Sequence, residues 1–138
     1  MLFSCLTWIL LKRINDTYGH AAGDQVLRRV AKLLQHITRA SEMVARFGGE
    51  EFLVVLPDAS AEIAGNIAER VCTMIRRLKI GPNLIEITAS IGVSLRYNAA
   101  QTHVHLTAQE LLKQADRALY RAKAMGRDRV LYFAEQAA

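Results

Sequence analysis

Gly48-Gly49-Glu50-Glu51-Phe52 separates two apolar runs, Met43-Val44-Ala45-Arg46-Phe47 and Phe52-Leu53-Val54-Val55-Leu56-Pro57. Two strand-like runs parted by a glycine pair predict a β-hairpin, because glycine reaches the positive φ angles of a tight turn. Neighbouring strand residues point to opposite faces, so Glu50 and Glu51 are expected to meet different surroundings. That suits a division of labour, one carboxylate on a metal and the other near a proton. Two solvated acids at a hairpin tip satisfy the same five residues.

The 138 residues fit a single domain, 1–138, with a real core. Hydrophobic residues make up 51% of the chain, which excludes a disordered segment. The formal charge of +5 suits a phosphate-rich ligand. Nucleic acid is not expected as a partner, because the basic residues are scattered and lack interleaved aromatics. Cys5 and Cys72 stand far apart without metal-ligand spacing, and read as reduced, buried thiols of a cytoplasmic protein.

Met1 to Leu11 is continuously apolar but too short to span a bilayer, which takes about 20 residues. Its flanks are wrong for a signal peptide, since Lys12 and Arg13 follow it. No membrane insertion is expected, and the run reads as a buried central strand. Lys12 to Gly23 reads as a polar connector, after which Asp24 opens an amphipathic helix with Val26, Leu27, Val30, Leu33, Leu34 and Ile37 inward. Beyond the hairpin, a second helix carries Ile63, Ile67, Val71, Met74, Ile75 and Leu78 inward, and Gly81-Pro82-Asn83 ends it. Ile85 to Leu95 alternates as a half-buried strand. Asn98 to His105 is a polar loop, whose His103 and His105 lack a third metal ligand and read as solvated.

Thr107-Ala108-Gln109-Glu110 is a capping-box signature for a third helix with Leu111, Leu112, Ala115, Ala118, Leu119 and Ala122 inward. Gly126 is placed to end it in a left-handed turn. Val130 to Phe133 is a last short strand. The predicted order is β-α-β-β-α-β-α-β, an α+β fold in which helices cover a sheet.

Three separated segments now stand in order: Lys12-Arg13-Ile14-Asn15-Asp16-Thr17-Tyr18-Gly19-His20-Ala21-Ala22-Gly23-Asp24, the Gly-Gly-Glu-Glu-Phe hairpin, and Ala122-Lys123-Ala124-Met125-Gly126-Arg127. Together they resemble the GGDEF family of diguanylate cyclases, in its Gly-Gly-Glu-Glu-Phe form, from Lys12 to about Phe133. The resemblance implies the nucleotidyl-cyclase palm, a ferredoxin-like βαββαβ core with an added strand. It implies condensation of two GTP molecules to cyclic di-GMP by a homodimer, with Mg²⁺ or Mn²⁺.

On that resemblance Glu50 matches the metal-binding carboxylate and Glu51 the candidate base, while Gly48 and Gly49 let the backbone approach the triphosphate. Asn15 and Asp24 match the guanine-reading pair; a carboxylate accepts well from two adjacent guanine donors. Without the resemblance, Asp24 suits a helix N-cap and Asn15 a turn. Lys12, Lys123 and Arg127 match cations around the terminal phosphates. The latter two also suit the negative end of the third helix. Arg39 and Glu42 occupy the place of the family's product-inhibition Arg-x-x-Asp, and the longer Glu42 side chain predicts weakened inhibition. They equally suit a surface pair. No catalytic role is assigned to His20.

The first strand departs from the family. Where an Asp-x-Asp-x-Phe-Lys pattern is expected, the chain has Thr7, Ile9 and Leu11 before Lys12. Both carboxylates are missing, as is the family's N-terminal helix, so residues 1–11 read as an atypical first strand from a truncated, frameshifted or fused start. A degenerate domain that binds GTP or cyclic di-GMP without catalysis is the alternative.

Overall fold

The computed structural model describes residues 2–39, 43–57, 59–96 and 107–133. The polar loop with His103 and His105 lies outside the described residues, as do Glu42 and the side chain of Cys5. The elements run β1 (Leu2–Ile9), α1 (Leu11–Tyr18), α2 (His20–Ile37), β2 (Met43–Arg46), β3 (Glu51–Pro57), α3 (Ala61–Arg76), β4 (Ala89–Arg96), α4 (Ala108–Ala124) and β5 (Arg129–Tyr132).

The strands form one sheet in the order β2-β3-β1-β4-β5, antiparallel except for the parallel pair β4–β5. The order β4-β1-β3-β2 within it is the ferredoxin-like core, and β5 is the added strand. The apolar start therefore supplies the central strand over Leu2–Ile9, while Leu10 and Leu11, expected to belong to it, fall outside and Leu11 opens α1. The hairpin partners also pair as expected, with Arg46 opposite Phe52.

One face of the sheet carries α2 and α3. Val26, Val30 and Leu34 pack there with Ala64, Ala68, Val71 and Ile75 over Ile9, Leu56 and Ile91. The other face carries α4, with Leu119 and Ala115 against Leu53 and the partly buried Trp8. Gly92 permits this second layer. A Cβ there would strike the backbone of α4 at Ala115 and Leu119, reaching 2.9 Å from the Leu119 Cα.

Five expectations need correction. The connector is a helix: Leu11–Tyr18 forms α1, and Gly19, at φ 89°, turns the chain directly into α2. Asp24 consequently sits inside α2 rather than capping it. Tertiary packing of Ile14, which is buried, decides a helix that its polar composition conceals. The strand read from Ile85 begins at Ala89, and Ile85 instead closes an isolated bridge to Ile80. Nor is β4 half-buried, because α4 covers its polar face: Ser90 and Ser94 are buried, and Ser94 Oγ donates to the Leu111 carbonyl at 2.8 Å. Finally, Ile63 of α3 is exposed, and Ala64, Ala68 and Cys72 take inward places instead. Burial pushes the Cys72 thiol up from its ordinary pKa.

Candidate active site

The hairpin tip, the end of β1 and the C-terminal end of α4 converge on one edge of the sheet. Neither Gly48 nor Gly49 adopts positive φ, so the tip is not the tight two-residue turn that glycine pairs usually signal. It is a wider loop closed by Arg46, which donates from Nε to the Gly48 carbonyl at 3.2 Å and from Nη2 to the Gly49 carbonyl at 3.0 Å. A Cβ on Gly49 would meet nothing within 4 Å. The glycines therefore keep the approach to the tip clear rather than serving its backbone angles.

Glu50 and Glu51 do face different surroundings. The Glu50 carbonyl accepts from Ile9 N–H at 3.0 Å, and its carboxylate oxygen Oε2 accepts from Leu11 N–H at 3.4 Å. That places a half-buried carboxylate at the start of α1, which has no side-chain cap of its own and no acid in its first turn. Helix starts leave amides unpaired and carry positive partial charge, so this corner attracts oxygen anions. Lys12 stands exposed in the same first turn.

Glu51 lies directly across from Trp8 in the sheet. Cross-strand partners share a face, so the carboxylate stands on the same side as the indole. Above that ring lies the Lys123 ammonium at 4.2 Å, with the Arg127 guanidinium carbon at 5.5 Å. A Schellman turn brings the two cations together. Gly126, at φ 114°, donates to the Lys123 carbonyl, and Arg127 N–H donates to the Ala122 carbonyl at 2.9 Å. Arg127 and Asp128 continue in the left-handed region, which costs a non-glycine residue about 1 kcal/mol each. An ion pair from Asp128 to Arg76 at 3.0 Å and a bond from Arg129 Nε to the Arg127 carbonyl anchor that turn.

Asn15 and Asp24 lie on neighbouring helices. Asn15 projects from α1 onto Gly23 of α2, where a Cβ would fall on the amide and sit 2.9 Å from its Cγ. Its Oδ1 is buried with no hydrogen-bond partner. An orphaned buried acceptor is costly, about 1–3 kcal/mol, and marks a place where a donor belongs. Asp24 is exposed one residue further along α2.

Thr7 does not join this group. It is 1% exposed and lines a small apolar cavity with Val54, Ile67, Val71 and Ile91, under α3. Its side chain is buried in that cavity rather than presented at the tip. Among the described residues no cluster of three His, Cys, Asp or Glu side chains is placed to hold a metal. Glu50 fits a Mg²⁺ ion that arrives on a triphosphate, since Mg²⁺ commonly takes one or two carboxylates beside phosphate oxygens. Arg39 is exposed just after α2, and its pairing with Glu42 lies outside the described residues.

Sequence reading missed two residues here. Arg46 carried no motif but always stood three places before Gly49, and Trp8 lay inside a run read only as core. A cleft of about 570 Å³ opens on the other flank of α1, between Arg13, Tyr18 and Leu84. None of Glu50, Glu51, Asn15, Asp24, Lys123 or Arg127 lines it.

The fold and this edge define a nucleotidyl-cyclase palm, and comparison with known proteins agrees. The family described as diguanylate cyclase, GGDEF domain, matches residues 8–129, so the chain belongs to the GGDEF family. It is 46% identical over 121 residues to diguanylate cyclase A of Treponema denticola, covering 86% of this chain and 31% of that protein. It is 40% identical over 124 residues to the response regulator PleD of Caulobacter vibrioides, covering 87% and 26%. The chain thus spans about a third or less of the curated relatives it matches. Among solved structures, the active GGEEF domain of a diguanylate cyclase from Vibrio cholerae superposes with a TM-score of 0.86 at 31% identity, covering 99% of this chain and 85% of that one. The GGDEF domain of DgcB from Caulobacter crescentus, in complex with c-di-GMP, also gives 0.86 at 30% identity, covering 95% and 77%.

Proposed function

We propose that this chain is a cytoplasmic diguanylate cyclase domain that condenses two GTP molecules to cyclic di-GMP. In each step a ribose 3′-hydroxyl attacks an α-phosphate, a P–O bond forms, the bond to the β-phosphate breaks, and pyrophosphate leaves. Each subunit of a homodimer supplies one GTP, since the product has two-fold symmetry. The observation that carries this reading is the convergence of Glu50, Glu51, the start of α1 and the Lys123–Arg127 pair on one edge.

Asn15 Oδ1 accepts a guanine donor, and Asp24 accepts a second. The amides opening α1 hold phosphate oxygens. Lys123, Arg127 and Lys12 neutralise the terminal phosphates, which leave with added negative charge. Glu51 takes the proton of the attacking hydroxyl, and Glu50 holds the divalent ion. When bound, Mg²⁺ or Mn²⁺ neutralises phosphate charge. Arg39, with Glu42 in place of the shorter aspartate, makes inhibition by product weak.

One observation favours a second reading. Thr7 is buried in the core, which leaves Glu50 as the one carboxylate assigned to the ion among the described residues and suits a domain that binds GTP without turning it over. The test is product formation. Purified protein with GTP and Mg²⁺ or Mn²⁺ is expected to give cyclic di-GMP by chromatography, and Glu51→Gln to lower it at least a hundredfold. GTP binding without product at high Mn²⁺ sinks the cyclase and leaves the binding module.

A further inference from the structure

Trp8 is the chain's only tryptophan and sits where two phosphate-binding candidates meet the sheet. Its side chain is partly buried and packs against Leu53, Ala115 and Leu119, so core packing holds the indole in place. Over the ring lie Lys123, at 4.2 Å from its centre, and Arg127, at 5.5 Å. Both distances lie inside the range over which an aromatic face attracts a cation, and tryptophan attracts most strongly.

Two cations gathered over one ring repel one another, and both side chains are long and rich in rotamers. Lys123 is half-buried, but Arg127 is exposed and its turn alone does not fix where the guanidinium points. The ring offsets the repulsion and confines both groups to one place. The directly opposed Glu51 adds a negative charge on the same face.

We propose that Trp8 is a positioning residue: its indole face preassembles Lys123 and Arg127 as a two-cation cradle for the terminal phosphates of the nucleotide. The inference rests on the reading of that edge as a GTP site. It adds a residue that the motif of the site does not contain. Preassembly matters because each flexible side chain immobilised on binding otherwise weakens the complex, and two such side chains account for about tenfold in affinity.

The single tryptophan makes the protein its own probe. Inorganic tripolyphosphate titrated into the unaltered chain is expected to change Trp8 emission and to saturate, while guanosine leaves it unchanged. The double variant Lys123→Ala, Arg127→Ala is expected to abolish the response. An emission that ignores tripolyphosphate overturns the proposal, and this arm needs no substitution at Trp8. In calorimetry with a non-hydrolysable GTP analogue, Trp8→Leu is expected to bind about tenfold more weakly, and Trp8→Phe, which restores an aromatic face, to recover most of that loss. Equal affinity of Trp8→Leu and the unaltered chain overturns it, as does no recovery in a folded Trp8→Phe. The two readings fail separately. A tripolyphosphate response without cyclic di-GMP sinks the cyclase alone, and product formation without any response sinks the role of Trp8 alone.

Discussion

Thr7→Asp restores by sequence the carboxylate that the GGDEF pattern places on the first strand, so it invites the expectation of a gain in activity. The structure argues for the opposite. Residue 7 is 1% exposed and shares a small cavity with Val54, Ile67, Val71 and Ile91, and with Thr38, whose hydroxyl already donates to the Leu34 carbonyl at 2.9 Å. Aspartate is close to threonine in size, so the penalty is electrostatic rather than steric. A carboxyl group in such a place has its pKa raised by desolvation, by as much as 3–5 units. A folded-state pKa above the unfolded value near 3.9 means the native state holds a proton that the unfolded chain has released, so stability falls as pH rises from about 4. A shift of about 3 units reaches neutrality, and at about 1.4 kcal/mol per unit the cost at pH 7 is roughly 4 kcal/mol. Against a typical total of 5–15 kcal/mol this is severe, and it lowers a urea midpoint by roughly 2 M. Urea unfolding of Thr7→Asp and the unaltered chain, at pH 7 and near pH 4.5, with and without Mg²⁺, measures it. The loss is expected at pH 7, to shrink sharply at the lower pH, and to be indifferent to Mg²⁺. A variant as stable as the parent at pH 7, or one that Mg²⁺ restabilises, shows that side chain 7 reaches the hairpin tip and refutes the reasoning.

Two further substitutions separate packing from recognition. Gly92→Ala is expected to lose about 3 kcal/mol, roughly 10 °C in melting temperature, because its Cβ meets the α4 backbone, which cannot step aside as a side chain can. An unchanged melt contradicts the close approach of α4. Gly23→Ala is expected to change stability little, since the gain in helix propensity of about 1 kcal/mol offsets the crowding of a movable Asn15 amide. Its guanine nucleotide affinity is nonetheless expected to fall at least tenfold, with calorimetry as the measure; undiminished affinity removes Asn15 from guanine recognition.

The elements most legible in the sequence were those whose pattern is local and strong. The capping box at Thr107 forms as written, with Thr107 Oγ1 accepting from Glu110 N–H and Glu110 Oε2 from Thr107 N–H. Gly126 ends α4 in the left-handed region as its position foretold. The apolar start was readable as a central strand because a strand flanked on both sides fits so unbroken a run. Where the reading failed, the missing information was a distant surface. Leu11–Tyr18 looked like a connector because one buried residue, Ile14, supplies its hold on the core. Ser90 and Ser94 looked solvent-facing because nothing local announces that α4 will lie over them.

The candidate site divides in the same way. Spacing and residue type, read against the GGDEF pattern, singled out Glu50, Glu51, Asn15, Asp24, Lys123 and Arg127, since each motif is contiguous and its chemistry is carried by short-range order. That Lys123 and Arg127 share the ring of Trp8, that Arg46 closes the hairpin tip, and that the Glu50 carboxylate meets the start of α1 are contacts between segments far apart in the chain. So is the burial of Thr7, which turns a missing metal ligand into a core residue. Alternation along a strand assigns two faces, but only the packing of helices against the sheet decides which face becomes core and which becomes site.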